Sequence, residues 1–193
     1  MKLFAGIDFG SKLAGTTVVC FREPNLNTLI VLQSIKKSDA DHWLISQIRN
    51  FGISKIFIDA PLSLPGVYRG TGQDYFYREA DKKLGAMSPM FLGGLTARAM
   101  RLRSELAKEG VECIEVYPAA RIKRLSSLQK LYVKKTKEYL PDFVKILEQN
   151  IHTPLQLANW HQADAVVAWW IGYDYMNDRK IAAGNTEEGI IYY

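Results

Sequence analysis

Apolar and polar positions change rhythm along this chain in a way that predicts its elements. Residues 2–9 and 14–21 are short runs rich in apolar and β-branched side chains, joined by the turn Gly10-Ser11-Lys12-Leu13. A third such run, 28–35, follows the turn-forming stretch Glu23-Pro24-Asn25-Leu26-Asn27. Three strand-like runs with tight connections predict an antiparallel meander. The period then becomes helical: Leu44, Ile48 and Phe51 recur at i, i+4 and i+7, with Asp39 or Asp41 as the cap and Gly52 as the stop. Residues 53–60 are nearly all apolar, which predicts a strand covered on both faces and parallel to a neighbour.

Turn residues dominate 61–94 around one helix expected at 74–84. A helix over 95–108 carries the stripe Leu95, Ala99, Leu102 and Leu106, with Gly110 as its C-terminal stop. Residues 111–117 read as a fifth strand, and helical segments run on through 149. Asn159 opens a last helix to about 177, with Gln162 completing a capping-box pattern, and 189–193 reads as a short edge strand. The order is βββαβ, a helical insertion at about 61–110, then a strand and helices.

At 193 residues the chain is expected to form one α/β domain, 1–193, with a substantial core. A hydrophobic share of 48% against 23% charged excludes a disordered chain. No apolar stretch approaches a membrane span, and the N-terminus lacks a signal-peptide pattern. Cys20 and Cys113 lie in apolar strand-like runs and read as core thiols rather than a disulfide. The cytoplasm is the expected location. Charge changes the picture more. Of a net +5, the segment 121–137 carries +7 from Arg121, Lys123, Arg124, Lys130, Lys134, Lys135 and Lys137, with no acid. Two readings stand open for it, a polyanion-binding surface and a solvated helix face.

The candidate chemistry is acidic. Asp8 ends the first strand in Ala5-Gly6-Ile7-Asp8-Phe9-Gly10, and Asp59 ends the fourth in Phe57-Ile58-Asp59-Ala60-Pro61. If those strands are adjacent and parallel, both carboxylates emerge at one sheet edge, where open α/β sheets bind ligands. Asp164 lies one turn into a last helix that is otherwise apolar nearly all round, so it needs a partner. Three carboxylates within about 4–5 Å repel by a few kcal/mol per pair at an effective dielectric of about 20. A divalent cation removes that cost, and all-oxygen ligands favour Mg²⁺ or Mn²⁺. Each acid also has an ordinary role available: Asp8 in its turn, Asp59 as a cap, Asp164 complementing the helix N-terminus.

The opening Ala5-Gly6-Ile7-Asp8-Phe9-Gly10-Ser11-Lys12-Leu13-Ala14-Gly15 resembles the first strand and turn of RuvC-type Holliday-junction resolvases and their YqgF relatives. His161-Gln162-Ala163-Asp164-Ala165 resembles their last-helix motif, with a His or Asp three residues before the final Asp, on the same helical face. Ile58-Asp59-Ala60-Pro61-Leu62, Arg78-Glu79-Ala80-Asp81 and Glu115-Val116-Tyr117-Pro118 resemble more specifically a family described as predicted nucleases with an RNase H fold. The resemblance implies an RNase H-like fold, a mixed five-stranded sheet in the order 3-2-1-4-5 flanked by helices. It also implies a metal-dependent nuclease with Asp8, Asp59 and Asp164 as ligands and His161 as ligand or water-positioning group. Two departures weigh against junction cleavage: Asp59 where those resolvases usually carry Glu, and the long insertion.

Second-tier residues carry alternatives. Glu115 shares a strand face with Val111, Cys113 and Tyr117, and is either a fourth site carboxylate or an arginine's partner. Arg78 and Asp81, at i and i+3, read as a surface ion pair, or Arg78 reaches a phosphate from a lid extended by Lys82, Lys83, Arg98, Arg101 and Arg103. Lys134 belongs to the basic segment and is a substrate-binding candidate. Tyr68, Tyr75 and Tyr77 are either core or base-stacking residues. His42 and His152 have no ligand spacing. The expected function is a two-metal phosphodiesterase acting on DNA or RNA, as a homodimer if it acts like a resolvase. The alternative is a non-catalytic nucleic-acid-binding or scaffold domain. Phosphoryl transfer from a nucleotide ranks last.

Overall fold

Five strands of the computed structural model, which describes residues 3–23 and 28–193, form one mixed sheet in the order β3-β2-β1-β4-β5. β1 (Leu3–Asp8), β2 (Val18–Arg22) and β3 (Leu29–Gln33) pair antiparallel, while β4 (Ile53–Asp59) and β5 (Glu112–Glu115) lie parallel beside β1. The expected turn residues 24–27 and the start of the first run at Lys2 lie outside the described residues. The helices are α1 (Ala40–Asn50), α2 (Glu79–Leu84), α3 (Pro89–Leu92), α4 (Gly94–Ala107), α5 (Pro118–Lys123), α6 (Ser126–Gln129), α7 (Leu140–Ile151) and α8 (Trp160–Met176). Among the described residues, no helix is long and apolar enough to cross a membrane.

The central strands are apolar on both faces because both are covered. Ala5, Ile7, Ile56 and Ile58 pack with Leu44 and Ile48 of α1 and Leu102 and Leu106 of α4. On the other face, Val18, Cys20 and Phe57 pack against α8 and α7. α8 lies directly on β1 because Gly6 offers no side chain: a Cβ there would sit 2.0 Å from the Trp169 amide nitrogen and 2.5 Å from the Ala165 carbonyl oxygen. Gly172 does the same for Phe57, whose Cδ2 would lie 2.3 Å from an added Cβ. Two glycines thus set the height of α8 above the strands that carry Asp8 and Asp59.

One local expectation is resolved between its alternatives and two are corrected. Asp39 caps α1, accepting from the amides of Asp41 and His42, so Asp41 is free for another role. The helix expected at 74–84 begins only at Glu79, because Asp74 accepts from the amides of Phe76 and Tyr77 and holds a turn there. Arg78 is the N-cap, and its amide donates to Asp81. The tail does not extend the main sheet as a simple edge strand. β6 (Ala182–Asn185) and β7 (Gly189–Tyr192) form a hairpin, which touches the main sheet through the Val116–Tyr192 bridge and packs on α2 through Ala183, Ile191 and Ala80. Asn185 organises the hairpin turn by accepting from the amides of Glu187 and Glu188.

Candidate functional site

Asp8 and Asp59 are register partners at the C-terminal ends of the parallel pair β1 and β4, so their side chains share one sheet edge. α8 crosses above this edge, and its first turns bring His161 and Asp164 over it. Asn159 starts the helix there by accepting from the Gln162 amide at 3.1 Å. His161 Nδ1 lies 2.7 Å from Asp8 Oδ2. Asp164, only 2% exposed, accepts from the Tyr132 hydroxyl through Oδ1 and from the Lys134 ammonium through Oδ2. With His161 on Asp8 and Lys134 on Asp164, Asp59 is left without an ion-pair partner among the described residues.

The electrostatics tie these groups into one unit. Burial pushes the Asp59 carboxyl well above its ordinary range, and the charges of Asp8 and Asp164 push it further. Asp164 rises to about 6, chiefly by burial and with Asp8 adding, while Lys134 and Tyr132 pull it back. The hydrogen bond to Asp8 raises His161. Burial opposes the charge on Lys134, yet its pKa still rises, because Asp164, Asp59 and Asp8 all face it. Lysine here supplies the positive charge that three converging carboxylates require.

All three aspartates and the histidine singled out in the sequence therefore meet. The donor set, carboxylate oxygens and one imidazole, suits a hard divalent cation. As the side chains stand, no group of three or more His, Cys, Asp or Glu among the described residues is arranged to hold a metal ion. Lys134 and His161 instead engage the oxygens of Asp164 and Asp8.

The second-tier residues fall differently. Arg78 is 0% exposed and its guanidinium is committed internally. Nε and Nη2 donate to Asp81 at 3.0 and 2.7 Å, Nη1 and Nη2 to Glu115 at 2.8 and 2.6 Å, and Nη1 also to Ser63 at 2.9 Å. It has no donor left for a phosphate, and its pair with Asp81 is internal rather than on the surface. Glu115 resolves as the arginine's partner and also accepts from the Leu62 amide. Arg98 ties α4 to Asp41 and to the Gly10 carbonyl, with its guanidinium over the Phe9 ring. Arg101 reaches the same Asp41 but is largely exposed. Arg121 is also withdrawn from the basic surface: it is buried, pairs with Asp174 at 2.8 Å and stacks on Trp170. Tyr68 and Tyr75 are exposed and pair edge to face, not core.

Two cavities flank Lys134. One, of about 420 Å³, is lined by Lys134, Lys135, Lys137, Trp160, His161 and Asp164. The other, of about 360 Å³, runs from Asp59 under the 61–110 segment towards Arg78 and Glu115. Sequence reasoning missed Tyr132 as a site residue and placed Lys134 on the substrate rather than on Asp164. No sequence signal marked them, because Tyr132 and Lys134 lie in the turn-rich stretch between α6 and α7. Compared with known proteins, the chain matches no family model and no curated sequence.

Proposed function

We propose that the chain is a Mg²⁺- or Mn²⁺-dependent phosphodiesterase of RNase H-like fold, acting on nucleic acid. The observation that carries this reading is the in-register pair Asp8 and Asp59 with Asp164 facing them at a sheet edge, where burial and the neighbouring charges raise the proton affinity of Asp59 and Asp164. Perturbed acids in a cleft are the signature of a functional site. The strand order 3-2-1-4-5 and the motif resemblance point the same way.

Asp8, Asp59 and Asp164 would hold the cation, which supplies activation of a water and stabilisation of the leaving oxygen in phosphodiester hydrolysis. His161 keeps Asp8 oriented and holds a proton at Nδ1 against it, ready to be moved as substrate enters. Lys135 and Lys137 flank the basic cavity, where a backbone phosphate is attracted without sequence preference. The experiment is Mn²⁺-dependent cleavage of DNA and RNA by wild type and by Asp8→Asn. Cleavage abolished by the substitution supports the reading, and unchanged cleavage sinks it.

The engagement of Asp164 by Lys134 and Tyr132 favours one alternative, a nucleic-acid-binding domain that keeps this fold without turnover. That alternative predicts salt-dependent binding with no product at any cation concentration.

A further inference from the structure

The two cavities beside the carboxylates share Lys134 and differ beyond it. On the α8 side, Lys134, Lys135 and Lys137 present ammonium groups. On the side of the 61–110 segment, the walls are Phe9, Met87, Leu92, Leu95 and Ile191, and the far end is the Arg78–Glu115–Asp81 cluster. At about 360 Å³ this second cavity lies at the small end of ligand sites, about 300–1,000 Å³. It suits a single flat ring system rather than a stack of two.

The polar end of this cavity offers acceptors. Arg78 spends all its N–H groups on Asp81, Glu115 and Ser63. Glu115 Oε2 is filled by the Leu62 amide and Arg78 Nη1, and Asp81 Oδ2 by the Arg78 amide and Nε. Glu115 Oε1 and Asp81 Oδ1 each take one bond from Nη2, so each keeps a free lone pair. One guanidinium also faces two carboxylates, and Asp59 stands at the other end. Lys134 lines the mouth shared with the other cavity, so a phosphate is held there and repelled from the far end, where a flat group carrying N–H donors is drawn in.

We propose that this cavity receives one nucleobase bearing an exocyclic amino group, with the phosphate next to it on the lysine side. The inference rests on the phosphodiesterase reading for its orientation and names the substrate class of that site: a nucleotide unit whose base is unstacked, from a strand or free. Guanine, adenine and cytosine carry an amino donor. Uracil and thymine offer one N3–H flanked by two carbonyl oxygens, and those oxygens facing the carboxylates are the repulsive element that sets the preference. Met87 is exposed and lines the cavity, so an apolar side chain already stands at the rim for an entering ring.

The test is saturation-transfer NMR of GMP, AMP, CMP and UMP, and of the matching trinucleotides, against wild type, Leu95→Trp and Met87→Trp without added metal. Wild type is expected to bind the amino-bearing bases at least tenfold tighter than UMP, through base protons, and both tryptophan variants to lose that contact. Met87 is on the exposed rim, so Met87→Trp keeps the test valid even if Leu95→Trp misfolds, which thermal melting detects. Selective binding of trinucleotides alone identifies a strand as the source, and binding of mononucleotides identifies a free nucleotide as sufficient. Equal affinity for all four bases, no binding of either ligand set, or binding indifferent to Met87→Trp overturns the proposal. Base-selective binding without Mn²⁺-dependent cleavage leaves the cavity standing and removes the phosphodiesterase reading. Cleavage indifferent to base does the reverse.

Discussion

Gly6→Ala should unseat α8. An added Cβ would lie 2.0 Å from the Trp169 amide nitrogen, 2.5 Å from the Ala165 carbonyl oxygen and 2.6 Å from the Trp169 Cα. Ordinary contact begins at 3.4 Å, and every clashing atom is backbone, so no side-chain rotation relieves the overlap. The helix must rise by about 1 Å over a strand whose neighbours are fully buried, and overpacking of this kind costs about 1–3 kcal/mol, here the upper end. At about 2–4 °C per kcal/mol for a chain of this size, the melting temperature should fall by roughly 6–12 °C. The same rise lifts Asp164 away from Asp8 and Asp59, and a misplacement of about 1 Å costs on the order of 100-fold in rate. The assay is thermal melting beside Mn²⁺-dependent cleavage, with Gly94→Ala as the control because nothing lies within 4 Å of its Cβ. A Gly6→Ala protein melting within about 1 °C of wild type would refute the claim that this glycine sets the helix height.

Three further outcomes follow from the charged groups. Arg78→Met strands the carboxylates of Asp81 and Glu115 in the interior, so a loss of about 3–5 kcal/mol is expected in denaturant unfolding, partly recovered by adding Glu115→Gln. Additive losses would show that the pair does not act as a unit. Lys134→Met removes a half-exposed competitor worth at most about 1 kcal/mol, so Mn²⁺ affinity measured by titration calorimetry should rise up to about fivefold. Weaker binding in that variant would make Lys134 a helper and not a competitor. The third outcome concerns pH in metal-free protein. Asp164 binds its proton more tightly folded, at about 6 against 3.8, so the folded state holds more protons between those values and its stability falls as pH rises through them. His161 acts with the same sign: its raised pKa stabilises below the ordinary histidine value, and that contribution is lost as pH rises through the folded pKa. The melting temperature of wild type relative to Asp164→Asn should therefore fall from about pH 4 to about pH 6, and a rise would contradict the placement of Asp164.

What the sequence made legible is what local pattern encodes. Asp8 and Asp59 could be placed because each ends an apolar run long enough to be a covered strand. Asp164 stood out because an acid in a helix apolar all round has to be explained. Local pattern supplied the meander and a two-face-buried parallel strand, while the full order of the five strands came from the motif resemblance. The hairpin of β6 and β7 was illegible because Ala182-Ala183-Gly184-Asn185 has neither alternation nor β-branched residues. Arg78 was misplaced for a different reason. Its i, i+3 spacing with Asp81 is the same for a solvated pair and a buried one, and the deciding partner, Glu115, is 37 residues away. Tyr132 and Lys134 lie between α6 and α7, outside any helix or strand, where periodicity carries no information.

Two cations, Arg78 and Lys134, line the cavity that holds Asp59, and their surroundings assign them different fates. Arg78 is 0% exposed, spends every N–H on fixed acceptors and joins the segment before α2 to β5. Releasing it would strand two carboxylates, so it stays through any ligand exchange. Lys134 has a side chain 46% exposed, one carboxylate partner in Asp164 and the face of Tyr132 beside it, 4.8 Å from the ring centroid. A flexible ammonium near water can leave for a small cost. Its departure turns a neutralised cluster into three carboxylates with a shared charge deficit. The cavity beside it, lined by Lys135 and Lys137, leaves room for the displaced ammonium. On the phosphodiesterase reading proposed above, the lysine that satisfies Asp164 at rest is the group a bound cation would displace.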